Sequence, residues 1–340
     1  MPKFLIVRFS SIGDIVLTTP VVRCLKQQVA GAEVHYLTKK NFAPVIEHNP
    51  FIDKKIYLEG ALTELIPELK KVKYDFVIDL HHNLRSLYLK AQLGAKYFSF
   101  NKINFQKWLM VNFKVDRLLR VHIVDRYMET LKSFGVINDG KGLEYYISQE
   151  DGQAVQKLPV NFREKYIAFV IGAKHNTKQL PKEKILSICQ KLNRPVVFLG
   201  GNEDYEKGEW LIQEVVSKQQ QSAAVPTATA TATIFNACGK FSLNESAAII
   251  KHADWIITHD TGLMHIAAAF KKKIVSVWGN TIPEFGMYPY YGDFQIENLI
   301  SEVKNLSCRP CTKLGFEKCP KGHFKCMMDI DEGKILEIIR

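Results

Sequence analysis

The stretch from Ala253 to Ala269 constrains this chain more than any other. Ala253-Asp254-Trp255-Ile256-Ile257-Thr258 is a short apolar run of the kind that forms a buried strand. Leu263-Met264-His265-Ile266-Ala267-Ala268-Ala269 is rich in helix formers. His259-Asp260-Thr261-Gly262 must therefore carry the backbone from strand to helix. In an open parallel sheet that edge is where ligands bind. The helix start offers unpaired N–H groups and positive dipole character that suit a diphosphate. Gly262 lets the backbone come close to a ligand, and His265 lies one turn on, on the side of Thr261. For a lone D-T-G, a helix cap supplied by Asp260 or Thr261 would be explanation enough. The whole string, with His265 and its small-residue helix, favours a site.

The same alternation runs through the chain. Strands are expected at Lys3–Phe9, Glu33–Leu37, Phe76–Leu80 and Tyr97–Phe100, with helices at Ile15–Val29, 104–120 and Val124–Phe134. Pro20 is awkward inside the first of these helices, which must bend or begin later. Residues 138–164 are polar and glycine-containing and read as a boundary. A second series follows at Tyr166–Gly172, Pro195–Gly201, 255–260 and Lys273–Gly279. At 340 residues two domains are expected: residues 1–150 and residues 151–340, each a Rossmann-like α/β unit, facing each other across a cleft. Gln219–Thr233, polar and Ala/Thr-rich, is expected to be mostly surface loop.

Net charge bears on the partner. The chain carries +11, and residues 85–126 hold nine basic side chains against two acidic ones. This points to an anionic partner. No nucleic-acid reader motif accompanies the basic run, so nucleic acid is not expected. A phosphorylated, membrane-borne substrate fits better, because segment 104–120 mixes aromatic and basic residues as interfacial helices do. Arg85, Arg120 and Arg126 are the candidates for its anionic groups, on charge grounds. No apolar run approaches the roughly 18–20 residues that span a bilayer. The opening Met1–Arg8 is too soon charged for a signal peptide. With an odd count of seven cysteines, a cytosolic protein with reduced thiols is expected, either free or peripheral on the inner membrane face.

Three further clusters could carry chemistry. Ser11-Ile12-Gly13-Asp14 is a formal capping box, and it also sets Asp14 at the edge of the first strand, facing the cleft. Its helix start would stabilise the anion and weaken it as a base, while burial would act the other way. Gly172–Pro181 follows a strand and offers Lys178 as a point charge for phosphate. Gly200-Gly201-Asn202-Glu203 places an acid where ribose hydroxyls bind. A separate stretch, Cys308-x2-Cys311-x7-Cys319-x6-Cys326, permits a structural zinc, a disulfide or a packed loop. Zinc is the lesser reading, since the second pair lacks C-x2-C spacing.

Together these pieces resemble glycosyltransferase family 9, the lipopolysaccharide heptosyltransferases. Arg8–Pro20 is similar to the family's opening motif, Gly172–Pro181 to its lysine loop and Asp260–Ala268 to its donor signature. Leu180 and Lys174 depart from the usual pattern, which has an aromatic and a small hydroxyl residue there. The resemblance implies a GT-B fold and an inverting, metal-independent transfer of heptose from ADP-heptose to a lipid A–core acceptor, with no cofactor. Asp14 would be the catalytic carboxylate and Lys178 would meet the donor phosphates. Glu203 would sit near the ribose. Asp260, Thr261, Gly262, Leu263 and His265 would hold the ADP part, and the acceptor would lie on the N-terminal domain. Another nucleotide sugar such as a UDP-sugar, or sugar-nucleotide binding without catalysis, are the alternatives.

Overall fold

A computed structural model describes residues 1–222 and 233–339, with side chains at all of these except 218–222. Strands β1 (Lys3–Val7), β2 (Glu33–Lys39), β3 (Lys54–Leu58), β4 (Phe76–Asp79) and β5 (Lys96–Ser99) form one sheet in the order β3-β2-β1-β4-β5. A second sheet contains β6 (Ile167–Val170), β7 (Val196–Leu199), β8 (Ile234–Asn236), β9 (Trp255–His259), β10 (Lys273–Trp278) and β11 (Asn298–Glu302), in the order β11-β10-β9-β6-β7-β8. Every strand pairing is parallel. Both sheets change winding direction beside their first strand, between β1 and β4 and between β6 and β9. At such switch points the loops leaving the two strands diverge and open a crevice.

The central strands were legible because both faces are covered, which demands continuous apolar runs. Ile167–Val170 and Val196–Leu199 are buried throughout. Three strands were not foreseen: β3, β8 and β11. All three lie at sheet edges, where one side faces solvent and polar residues are tolerated, as in Lys-Lys-Ile-Tyr-Leu of β3.

Pro20 resolves as the sequence required. The expected Ile15–Val29 helix is two helices, Ile12–Val16 and Thr19–Gln28. Pro20 sits in the first turn of the second, where its missing N–H breaks no helical bond. Thr18 and Thr19 donate their hydroxyls to the Ile15 and Val16 carbonyls at 2.7 and 2.8 Å, covering acceptors freed by the break. The 104–120 helix is shorter than expected. It spans Asn104–Phe113 and stops at Lys114, whose φ of 58° is left-handed. The Ala/Thr-rich stretch lies largely outside the described residues; its first part, through Ser222, continues the helix Tyr205–Ser222 and is not loop. No helix among the described residues is long and apolar enough to cross a membrane.

A single apolar cluster joins the two sheets, running from Phe4, Ile6, Val16 and Leu17 to Met264, Ala267 and Trp278. At its centre the helix starts at Ile12 and Gly262 meet. A Cβ on Gly13 would lie 2.6 Å from His265 Cδ2 and 3.3 Å from Gly262 Cα. One on Gly262 would lie 2.8 Å from Ile12 Cγ2. The close approach that glycine permits is thus between two helix starts of the same chain.

Candidate active site

The joint of the two helix starts brings together residues that are about 250 positions apart. Asp14, half-buried in the first turn after β1, is ion-paired with Arg8, Nη2 to Oδ1 at 2.7 Å. Its other oxygen accepts from the Ser11 backbone N–H at 3.2 Å and the Ser11 hydroxyl at 2.8 Å. Burial would raise this carboxyl, but the Arg8 charge and the two Ser11 donors outweigh it and hold Asp14 below the ordinary carboxylate value. Arg8 is itself fully engaged, donating to the Ser10 carbonyl at 2.7 Å and the Tyr127 hydroxyl at 3.0 Å. Asp14 is therefore ionised and fixed in direction at neutral pH. The capping reading of Ser11–Asp14 holds as well, since the carboxylate does reach back to the Ser11 N–H.

Across the joint, the loops leaving β6 and β9 converge at the second switch point. Lys178 Nζ lies 2.5 Å from Asp260 Oδ2, which also accepts from the Thr281 hydroxyl at 3.1 Å. Thr261 is the N-cap residue of helix Gly262–Ala269, yet its side chain makes no capping bond; its hydroxyl lies 3.3 Å from that of Thr258. Capping by Asp260 or Thr261 side chains thus does not account for this string. His265 is 2 % exposed, and its Nδ1 has no partner. Burial, opposed by Asp260 and Asp14, pushes its pKa down to about 4, so the imidazole is neutral. Leu263 is half-buried on the same helix. Glu203 is exposed just beyond β7, while its neighbour Asp204 is buried and paired with Lys207 at 3.2 Å.

Several supporting residues carry no sequence signal. The lysine loop is pinned from beneath by His259, whose Nε2 accepts from the Leu180 N–H at 2.9 Å. Lys207 Nζ donates to the Ile171 carbonyl and to Gln179 at 2.8 and 2.7 Å. The turn that carries Thr281 is cradled by Arg309, which donates to the Gly279 and Thr281 carbonyls at 2.6 and 2.9 Å and pairs with Glu302 at 2.6 Å. The Cys-rich stretch also braces the lysine loop, because Thr177 exchanges backbone and hydroxyl bonds with Phe316. Cys308, Cys311, Cys319 and Cys326 are free thiols, and burial pushes Cys311 up to about 11 and Cys326 to about 12. Cys308 Sγ lies 3.8 Å from His323 Nε2. No three His, Cys, Asp or Glu side chains among the described residues are gathered as a metal site.

The three arginines proposed on charge grounds do not converge. Arg126 is 1 % exposed and donates to the Phe285 and Asn101 carbonyls at 3.1 and 3.3 Å. It is a strut between the two halves and not an open anion contact, because both of its Nη groups already face backbone oxygens. Arg120 is exposed and pairs with Asp116 and, at 3.7 Å, with Glu284. Arg85 stacks over Phe9 at 5.8 Å and lines an open cavity of about 470 Å³ with Lys39, Lys40 and Glu59. The cations that share the surroundings of Asp14 are instead Lys102 and Lys107. Burial lowers both, helped by the Arg8 charge at Lys102 and the Arg126 charge at Lys107, which goes down to about 8. Neither stood out in the sequence, since only the fold turns them inward.

The sequence model of glycosyltransferase family 9 (heptosyltransferase) matches residues 62–314. Lipopolysaccharide heptosyltransferase 1 of Campylobacter coli is 26 % identical over 306 residues, covering 82 % of this chain and 84 % of the relative. Among solved structures, a family 9 glycosyl transferase from Veillonella parvula superposes with a TM-score of 0.73 at 23 % identity, covering 99 % of this chain and 96 % of that one. E. coli ADP-heptose LPS heptosyltransferase II gives 0.72 at 18 % identity, with 99 % and 97 % covered. The two Rossmann-like sheets are those of a GT-B fold, as expected. With three quarters of its length matched by the family's own sequence pattern, this chain belongs to glycosyltransferase family 9.

Proposed function

We propose that the protein transfers heptose from ADP-heptose to a phosphorylated lipid A–core acceptor, with inversion and without a metal ion. The observation that carries this reading is the packing of the turn that holds Asp14 against the helix start that follows the Lys178-paired Asp260, at the switch points of both sheets. In the proposed reaction Asp14 takes the proton of the acceptor hydroxyl. The freed oxygen pair forms the new bond to the anomeric carbon. The bond from that carbon to the diphosphate breaks on the opposite face, and its electron pair leaves with ADP. Negative charge grows on the diphosphate, where Lys178 and the N–H groups of helix Gly262–Ala269 meet it. That would supply the stabilisation that a divalent cation gives elsewhere. Asp260, Thr261, Gly262, Leu263 and His265 hold the nucleotide end of the donor, with Glu203 toward the ribose. Anionic groups of the acceptor meet Lys102 and Lys107, which lie in the field of Asp14.

Support for the donor comes from the relatives. The E. coli structure is described as an ADP-heptose enzyme, and the C. coli relative as a lipopolysaccharide heptosyltransferase. Calorimetry with ADP, UDP, GDP and NAD, each with and without magnesium, tests the reading directly. ADP is expected to bind selectively and without regard to magnesium, and ADP-heptose to release ADP only when a core acceptor is present. UDP preference would move the donor to another sugar nucleotide, and an absolute magnesium requirement would remove the metal-free mechanism.

Lys178→Ala is expected to lower kcat by about 10²-fold, with a smaller change in ADP affinity, because the charge it meets develops in the transition state. A change confined to KM, measured by steady-state ADP release, would assign Lys178 to ground-state binding alone.

A further inference from the structure

We propose that the outer face of the helix Asn104–Phe113 is a docking surface for a bilayer that carries anionic headgroups. The helix is unusual in having no buried residue. Its inner side, through Met110 and Val111, packs on Ile103, Leu118, Ile282 and Phe285. Its outer side presents Phe105, Trp108 and Phe113, which are 66 %, 50 % and 61 % exposed. These three rings touch one another: Phe105 stacks on Trp108 with centroids 6.2 Å apart, and Trp108 meets Phe113 edge-on at 5.1 Å. Val115, Leu119 and Val121 extend the exposed apolar surface beyond the helix. Single exposed apolar residues are ordinary, but a continuous aromatic strip is not.

Charge decides what covers it. Residues 102–120 contain Lys102, Lys107, Lys114, Arg117 and Arg120 against Asp116. Arg117 and Arg120 are exposed beside the strip, with Asp116 and Glu284 the acidic partners of Arg120, while Lys114 turns back to donate to the Val111 and Pro310 carbonyls at 2.8 and 2.6 Å. Aromatic rings flanked by arginine suit the headgroup layer, where rings enter the acyl boundary and cations meet phosphate. A second copy of the chain would instead oppose two cationic faces.

Position adds a functional reason. The helix follows β5, so it emerges at the C-terminal edge of the first sheet, the edge that also carries the Ser11–Asp14 turn after β1. Exposed Leu84, Leu87 and Tyr88 follow β4 at that same edge. Docking through this edge sets the cleft beside the bilayer. The inference deepens the proposed function by saying how a lipid-borne acceptor is reached.

Full-length protein and vesicles test it with neither donor nor acceptor present, so it stands or falls separately from the transferase reading. Of the four tryptophans, Trp255 and Trp278 are buried and Trp210 is half-buried, which leaves Trp108 as the exposed reporter. Vesicles of phosphatidylcholine with roughly one-third phosphatidylglycerol should shift tryptophan emission to the blue and co-sediment the protein, and pure phosphatidylcholine should do so far less. Trp108→Phe should lose the shift and keep most of the binding. Phe105→Ser combined with Phe113→Ser should weaken binding at least tenfold with an unchanged melting transition, and Arg117→Ser by about fivefold. The proposal is overturned if wild-type protein stays in the supernatant with anionic vesicles at low salt. It is equally overturned if the double serine variant binds as well as wild type. Sedimentation showing a dimer that this variant converts to monomer would assign the face to a second copy instead.

Discussion

Asp14→Asn is expected to lower kcat by about 10²–10⁴-fold and to leave ADP binding within about twofold. This is the range of a lost general base. The substitution keeps the size of the side chain and an oxygen for the Ser11 donors, but removes the charge and nearly all basicity. The geometry makes the expectation specific. Asp14 is held in one direction by Arg8 at 2.7 Å and by both Ser11 donors, and Asn keeps only the Ser11 contacts. The Arg8 pair also makes Asp14 a weaker base than a free carboxylate. Its proton affinity must therefore rise as the acceptor hydroxyl is brought up against it, or the transfer must be late. Removing the carboxylate also leaves Arg8 without its anion in a buried place, which costs stability of about 3 kcal/mol. A melting curve and ADP calorimetry on the same variant separate that cost from the chemistry. If ADP-heptose turnover survives within tenfold, Asp14 is a cap and an ion-pair partner, and the proposed mechanism is wrong.

Acid is expected to unfold this protein well above the pKa of its carboxylates. His122, His259 and His265 are at most 3 % exposed. Burial, the leading cause in each, pushes His265 down to about 4 and His122 and His259 to about 3. His122 is also used as a neutral ring, since its Nδ1 accepts from the Val124 N–H at 3.1 Å and its Nε2 lies 3.0 Å from the Tyr288 carbonyl. A depressed pKa means that the unfolded chain binds the proton first. The stability these rings supply is complete above the ordinary value of 6.5 and is lost as pH falls toward 4 and 3. At pH 5 each ring is about 1.5 pH units below its unfolded pKa, on the order of 2 kcal/mol. Three together approach the whole stability of a typical domain. Thermal unfolding at pH 7.5, 6 and 5 should show a steep fall in the transition temperature below pH 6.5. A flat profile down to pH 5 would mean that these imidazoles reach solvent or a partner in the folded protein.

Much of the fold was legible because parallel sheets buried on both faces leave a strong mark. β1, β4, β6, β7, β9 and β10 are continuous apolar runs followed by turn residues. β3, β8 and β11 were not legible, since an edge strand has one neighbour and needs less apolar surface. Pro20 announced a break between helices, but only the threonine hydroxyls at 18 and 19 show how that break is satisfied. Arg85, Arg120 and Arg126 were named on charge, whereas Asp14, Lys178, Glu203 and the Asp260–His265 string were named because they sit just after a strand. That position is a local property, readable from the alternation of strand and helix.

What the sequence alone determined is therefore the series of strand ends and the residue types placed on them. Which of these ends meet was decided by tertiary structure. Strand order puts the ends of β6 and β9 side by side and so pairs Lys178 with Asp260. Packing of Gly13 against Gly262 brings Asp14 near His265. The same packing buried Arg126 against backbone carbonyls and set Lys107 over the Phe285 ring at 5.5 Å, placements that charge along the chain does not show. Local patterns depend on neighbours a few residues away, whereas burial and electrostatic field depend on everything that packs around a group. Those surroundings exist only once the two sheets have come together.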